Sequence, residues 1–252
     1  MKKKFKIFRR TLLLVLVLIG IKAIIHNIGW DILEPTSLHT GILAGSVFVL
    51  GFILSTTHAD YKESEKMPVT LTTAIESMYQ DGLLFKQQYK KFPFDTYRQT
   101  LHDILELFRK DILDHKQRSL EKVQELSAFF MEMEKLGIPA NYIVKLKQER
   151  NAIMQIIFRM HYLLRIQPLP SAFILVQALA SLIVIMLLFT QVGGFAESAM
   201  VVGFFSFIYI YMLQLIRVMD IPFGASGSTQ DDISLFLIKE EQSRLTKKSS
   251  SK

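Results

Sequence analysis

Two stretches of this chain, Ala23 to Tyr61 and Ile166 to Ile216, contain neither Lys nor Arg, and a densely charged block from Lys62 to Arg165 separates them. A helix that faces water keeps a polar face along its length. Charge sorted into blocks instead of faces points to a solvent with no water in it. Half of the 252 residues are hydrophobic, and the apolar ones crowd into the uncharged stretches.

A bilayer core needs ~20 mostly apolar residues per helix. Four segments qualify: Thr11 to about Trp30, Leu38 to Thr57, Pro170 to Thr190, and Glu197 to Arg217. The first contains Lys22, whose stem could snorkel or whose head could face a polar gap between helices. A cleaved signal peptide is the competing reading of this start. It needs small residues spaced as Ala-x-Ala, and Lys22-Ala23-Ile24-Ile25-His26 offers none.

The links Asp31–Ser37 and Gln191–Ala196 carry no basic residue, whereas Lys2, Lys3, Lys4, Lys6, Arg9 and Arg10 crowd the amino end. The positive-inside rule then places both termini and the middle block in the cytoplasm, in a cell (inner) membrane. The net charge of +7 follows this placement and argues for anionic membrane lipid, not nucleic acid. The expected fold is an all-α integral membrane protein with four transmembrane helices and a cytoplasmic helical domain between the second and third. Its expected divisions are a basic amino end (1–10), spans one and two (11–57), the cytoplasmic domain (58–167), spans three and four (168–217), and a carboxyl segment with a disordered tail (218–252).

Within the middle block, Pro68 reads as the first turn of a helix reaching about Phe92. Pro93 ends it, and Asp95 caps the next helix. That helix carries Tyr97, Leu101, Ile104, Leu105, Phe108 and Ile112 on one stripe. A third helix holds Leu120, Val123, Leu126, Phe130 and Met133 up to Gly137-Ile138-Pro139, and a fourth runs from Ala140 into Leu164.

The chemistry available is narrow. There is no cysteine, hence no disulfide, thiol nucleophile or thiolate metal site. No two of the six histidines stand at metal-ligand spacing, and no nucleophile–base set or phosphate loop is present. His58 and Asp60 lie two apart and point to different helix faces. The chain is expected to be neither an enzyme nor a cofactor protein. Only Lys22 is charged well inside a span, which argues against a proton relay. Gln177, Ser181, Ser206, Tyr209 and Gln214 read as hydrogen bonds between helices.

The second span is the informative one. At ~100° per residue, Gly41, Gly45, Phe48, Ser55, Thr56 and Ala59 all fall within about 60° of Phe52. The far faces carry Leu43, Val47, Leu50, Ile53 and Leu54. A stripe of small, aromatic and hydroxylated residues suits close helix packing. By itself the stripe favours packing over the other reading, a pore in which a ring of Phe forms a constriction that gates by dewetting. The stripe continues to Glu63 and Lys66, whose mixed charges choose neither anion nor cation.

Three landmarks together resemble the bestrophin superfamily: Phe48-Val-Leu-Gly-Phe52 in the second span, Pro168-Leu-Pro170-Ser-Ala-Phe173 opening the third, and Asp220-Ile-Pro222-Phe223-Gly224 after the fourth. Their order and spacing follow that family over nearly the whole chain. The resemblance implies a homo-oligomer, a pentamer, around one pore for small monovalent anions of the chloride class. Phe48 and Phe52 would form its neck, with Ala44 one turn earlier. Gly41, Gly45, Ser55, Thr56 and Ala59 would line the pore, with Glu63 and Lys66 at its cytoplasmic mouth. Animal members carry a dense acidic run after the Pro-Phe-Gly turn. Here only Asp231 and Asp232 follow, a thin supply for calcium's roughly six to eight oxygens, so no calcium gating is expected. Ser55-Thr-Thr-His58-Ala-Asp60-Tyr61 replaces the family's aromatic and arginine-rich stretch, which is similar to the bacterial branch. The alternative is a non-conducting oligomeric scaffold or sensor whose cytoplasmic helices bind a partner.

Overall fold

The computed structural model describes residues 5–165, 170–220, 223 and 233–247. Among these, nine helices form: α1 (Lys6–Ile28), α2 (Ser37–Gln88), α3 (Phe94–Asp114), α4 (Arg118–Gln124), α5 (Leu126–Lys135), α6 (Ala140–Arg165), α7 (Pro170–Phe189), α8 (Phe195–Asp220) and α9 (Phe236–Lys247). No strand occurs among the described residues. Helices α1, α2, α7 and α8 are each long and apolar enough to cross a membrane. The chain divides into two compact units, one of Met1–Tyr61 with Gln167–Asp232, the other of Lys62–Ile166 with Ile233–Lys252.

In the first unit α1 packs along α8, and α7 packs on both. Leu50 of α2, Val176, Ala180 and Ile183 of α7, and Val202 and Ile216 of α8 build a shared core. Helix α1 stops because Gly29 takes a left-handed conformation at φ 77°. Its N–H donates to the His26 carbonyl and the next N–H, of Trp30, donates to Ile25, the pairing that satisfies a helix's last carbonyls. The span therefore closes at Ile28, two residues short of the expected Trp30. Helix α8 opens with Glu197 reaching back to accept from the Gly194 N–H at 3.0 Å, a first-turn acid at a helix start, as expected. The links before α2 and after α7 touch where the Leu33 N–H donates to Phe189 and the Gln191 N–H to Leu33.

In the second unit α3 contacts α4, α6 and α9. Its stripe is buried as the periodicity requires: Tyr97, Leu101, Ile104, Leu105 and Phe108 are fully enclosed. The approach of α2 to α3 depends on Gly82. A Cβ there would stand 2.8 Å from the Tyr97 ring, whose hydroxyl donates to the Met78 carbonyl at 3.2 Å. Asp111 accepts from both the N–H and the hydroxyl of Ser119 at 2.7 Å, fixing the start of α4.

Three expectations about helix boundaries need correction. Pro68 does not begin a helix; it lies inside α2, which runs unbroken from Ser37 to Gln88. Interior proline costs a helix one hydrogen bond and a clash, ~3 kcal/mol. Burial of Met67, Leu71, Ala74, Ile75 and Met78 around it offsets that, since each large apolar side chain contributes about 1.5–3 kcal/mol. Asp95 is not the cap of α3. Pro93 occupies that position, and Asp95 instead pairs with Arg98 at 3.5 Å. The expected third helix is two, α4 and α5, divided at Glu125.

The carboxyl segment contributes α9, which lies against α3. Arg244 donates to Glu241 at 2.8 Å and to Glu76 of α2 at 3.0 Å. The remaining oxygens, Glu76 Oε2 and Glu241 Oε1, are buried without a donor unless one proton lies between the two carboxyls. Burial first, and the neighbouring Glu76 second, push the Glu241 carboxyl up to about 7. The tail expected to be disordered begins inside α9, which continues through Thr246 to Lys247; the residues beyond lie outside the described ones.

Candidate functional site

Helix α2 is oriented by its polar contacts. Ser46 is buried; its hydroxyl donates to the Leu43 carbonyl at 2.7 Å and is hydrogen-bonded to the hydroxyl of Tyr209 on α8. Buried hydroxyls without partners are costly in an apolar medium, so this bond selects which side of α2 turns inward. Leu50 follows on that side, 2 % exposed, with Leu43, Val49, Ile53 and Leu54 packed against the core. Val47, expected with them, is 45 % exposed.

Among the described residues nothing covers the opposite stripe. Phe48 is 76 % exposed and Phe52 68 %. Gly41, Ala44, Gly45, Ser55, Thr56 and Ala59 are exposed as well. A Cβ added at Gly41 or Gly45 would meet nothing within 4 Å, so neither glycine serves close packing among the described residues of the chain. Thr56 donates its hydroxyl to the Phe52 carbonyl at 3.1 Å, which leaves the stripe's surface largely apolar.

Phe48, Phe52 and Thr56 also border a groove of about 290 Å³ that Phe173 of α7 and Ile216 of α8 close from the other side. Asp60 and Asp220 both line it. In the second unit, Glu63 and Lys66 are exposed, and Glu63 pairs with Arg159 of α6 at 2.9 Å. Asp231 and Asp232 lie outside the described residues, as do Pro168, Leu169, Ile221, Pro222 and Gly224 of the landmarks. Phe223 is described and buried.

Lys22 answers the question its position posed. It is fully buried, and its ammonium donates to the carbonyls of Leu188 at 3.1 Å and Thr190 at 2.8 Å. Asp31 stands 3.7 Å away and is itself 2.6 Å from His26 Nδ1. The ammonium thus faces a polar gap between helices and does not snorkel. It satisfies the end of α7 while Asp31 balances its charge. The hydrogen bond from His26, with the charge of Lys22 behind it, holds the Asp31 carboxyl below its ordinary value. The sequence flagged Lys22; the signal for its partner was an acid in the very next link.

Of the polar residues expected to join helices, Tyr209 bonds α2 and Gln214 donates to Thr11 of α1 at 2.9 Å. Ser181 instead donates to its own helix, to Gln177, and the buried Ser206 hydroxyl has no partner among the described residues. His102, Asp103 and Glu106 of α3 bring three potential ligand atoms within 4.8 Å of one another. Both acids are already paired, Asp103 with Lys122 and Glu106 with Lys110, so the cluster is satisfied without a metal.

No family model and no curated protein matches this chain. Solved structures do. A variant of a bacterial bestrophin homolog from Klebsiella pneumoniae superposes with TM-score 0.78 at 14 % identity, over 98 % of this chain and 99 % of that one. The homolog structure solved by zinc phasing gives TM-score 0.78 at 13 % identity, over 97 % and 99 %. A further variant gives 0.72 at 14 % identity over the full length of both chains. The chain has the bestrophin-like all-α fold, with four apolar helices of membrane-spanning length.

Proposed function

We propose that this chain is one subunit of a homo-oligomeric, pentameric, bestrophin-like channel that passes small monovalent anions of the chloride class passively across a cell membrane. Both termini and the second unit are cytoplasmic in this reading, which follows the distribution of basic residues. The observation that carries it is the orientation of α2. Its inner side is held by Ser46 and Leu50, and Phe48 and Phe52 are left uncovered by their own subunit.

In a ring of subunits, Phe48 and Phe52 meet around an axis. Two layers of aromatic rings make a short hydrophobic neck that dries unless an ion is drawn in. Aromatic edges are the positive part of the ring quadrupole, so rings presenting their edges favour anions. Gly41, Ala44 and Gly45 keep the approach to the neck wide, and Ser55 and Thr56 hydrate the far side. Asp60 and Asp220 act against anions, and selectivity is the sharpest test.

The experiment is ion flux into liposomes containing the purified protein, with chloride and sodium measured separately. Phe48→Ala/Phe52→Ala is expected to raise chloride flux or alter its selectivity while the protein stays oligomeric. Absence of any flux from two oligomeric proteins would remove the channel in favour of a scaffold. Sodium flux exceeding chloride would keep the pore and reverse its ion.

A further inference from the structure

At the amino end of α1 a second groove, of about 280 Å³, opens between α1, α7 and α8. Three cations line it: Lys6 and Arg10, one turn apart on α1, and Arg217 in the last turn of α8. Among the described residues none of the three forms an ion pair, and no acid lines the groove. Exposed cations elsewhere in the chain commonly find carboxylates, as Lys62 does in Glu65 and Lys145 in Asp81.

The rest of the lining is of a different kind. Leu14, Phe173 and Leu213 form an apolar wall. Arg217 is anchored on it, its guanidinium carbon 5.3 Å from the centre of the Phe173 ring. Gln214 is held by its bond to Thr11. Three uncompensated positive charges therefore crown an apolar cleft at the ends of membrane-spanning helices.

We propose that this groove binds one anionic phospholipid, its phosphate held by Arg10, Arg217 and Lys6 and an acyl chain laid along Leu14 and Leu213. Guanidinium groups hold phosphate through paired, charge-assisted hydrogen bonds. Basic pockets between membrane helices suit anionic headgroups. A free phosphate would satisfy the cations and leave the apolar wall bare, whereas a zwitterionic lipid would cover the wall and leave net positive charge. Only a lipid with a net negative headgroup matches both parts. The site does not depend on whether the protein conducts.

The test uses the full-length protein, stripped of lipid in a neutral detergent and titrated with phosphatidylglycerol or phosphatidylcholine of identical chains. Bound lipid is counted by native mass spectrometry. One phosphatidylglycerol per subunit is expected, retained on the order of a hundredfold more tightly than phosphatidylcholine, from ~1 kcal/mol for each of the three basic residues. Arg10→Ala/Arg217→Ala removes that preference, and Arg9→Ala, which leaves the groove's lining intact, keeps it. Equal retention of the two lipids overturns the proposal. So does an equal loss in Arg9→Ala, or complete displacement of phosphatidylglycerol by inorganic phosphate. If the double variant does not fold, the wild-type lipid comparison and the phosphate competition decide the matter by themselves.

Discussion

The two units of this chain solve the same packing problem in opposite ways. In the second unit, α3 buries Tyr97, Leu101, Ile104, Leu105 and Phe108 completely and turns Asp95, Glu106 and Lys110 outward, where they form surface pairs. In the first unit large apolar side chains face out: Leu13 is 63 % exposed, Leu16 60 %, Ile174 66 % and Leu182 59 %. Polar groups, among them Thr11, Lys22, Ser46, Ser198 and Ser206, are enclosed beside the apolar core. Water drives apolar groups inward and rewards charge outside. Hydrocarbon gives no such drive, so small residues and internal hydrogen bonds become the fasteners between helices.

The two regions should therefore break differently. The largest effect is expected at Lys22. Lys22→Ala strips two carbonyls and Asp31 of their partner, and removing one member of a buried pair costs on the order of 3–5 kcal/mol. Thermal unfolding in detergent reads this loss, and Lys22→Met with Asp31→Asn should recover much of it. An unchanged melting temperature for Lys22→Ala would mean the buried charge fastens nothing. In the second unit the equivalent weak point is apolar crowding. Gly82→Ala pushes a methyl into the Tyr97 ring, and overpacking of this kind costs about 1–3 kcal/mol. The same unfolding experiment checks it, and Tyr97→Leu in the Gly82→Ala background should relieve part of the cost.

A smaller effect separates the regions by pH. The Glu241 carboxyl is raised above its ordinary value to about 7, so the folded state holds this proton more firmly than the unfolded chain. Its stabilising contribution is complete below the ordinary carboxyl range and is lost as pH rises through about 7. Glu76 and Arg244 are the charged groups beside it, and the Tyr79 hydroxyl lies within reach of the same cluster. Hydrogen exchange across Phe236–Lys247, corrected for intrinsic rates, should quicken over that rise, and Glu241→Gln should flatten the response. Persistent pH dependence in the variant would assign it to another group. The smallest expected change is in the stability of the isolated subunit on Phe48→Ala/Phe52→Ala. Both side chains are mostly exposed within it, and such substitutions usually stay within about 0.5 kcal/mol. A large loss in the dissociated subunit would show that the two rings pack at home.

Much of the fold was legible because hydrophobic length and charge placement are properties of short, local segments. The four spans, the α3 stripe, the stop at Gly137 and the extent of α6 all follow from periodicity and punctuation. What escaped was decided by contacts distant in sequence. Pro68 carries a local signal for a helix start that packing around Met67 and Leu71 overrides. The break at Glu125 has neither Gly nor Pro to announce it. The Glu76–Glu241–Arg244 cluster joins residues over 160 positions apart, which no local pattern encodes.

The sequence by itself determined that the chain is helical, that four of its segments suit a membrane, and that one side of the second span differs from the other. Only the tertiary structure decided which side faces in. Hydropathy cannot choose between two apolar faces in an apolar solvent, whereas a buried hydroxyl is costly without a partner, and that of Tyr209 finds Ser46. The same rule gave Lys22 its place: a charge in hydrocarbon is settled by the particular carbonyls and carboxylate that other segments bring to it.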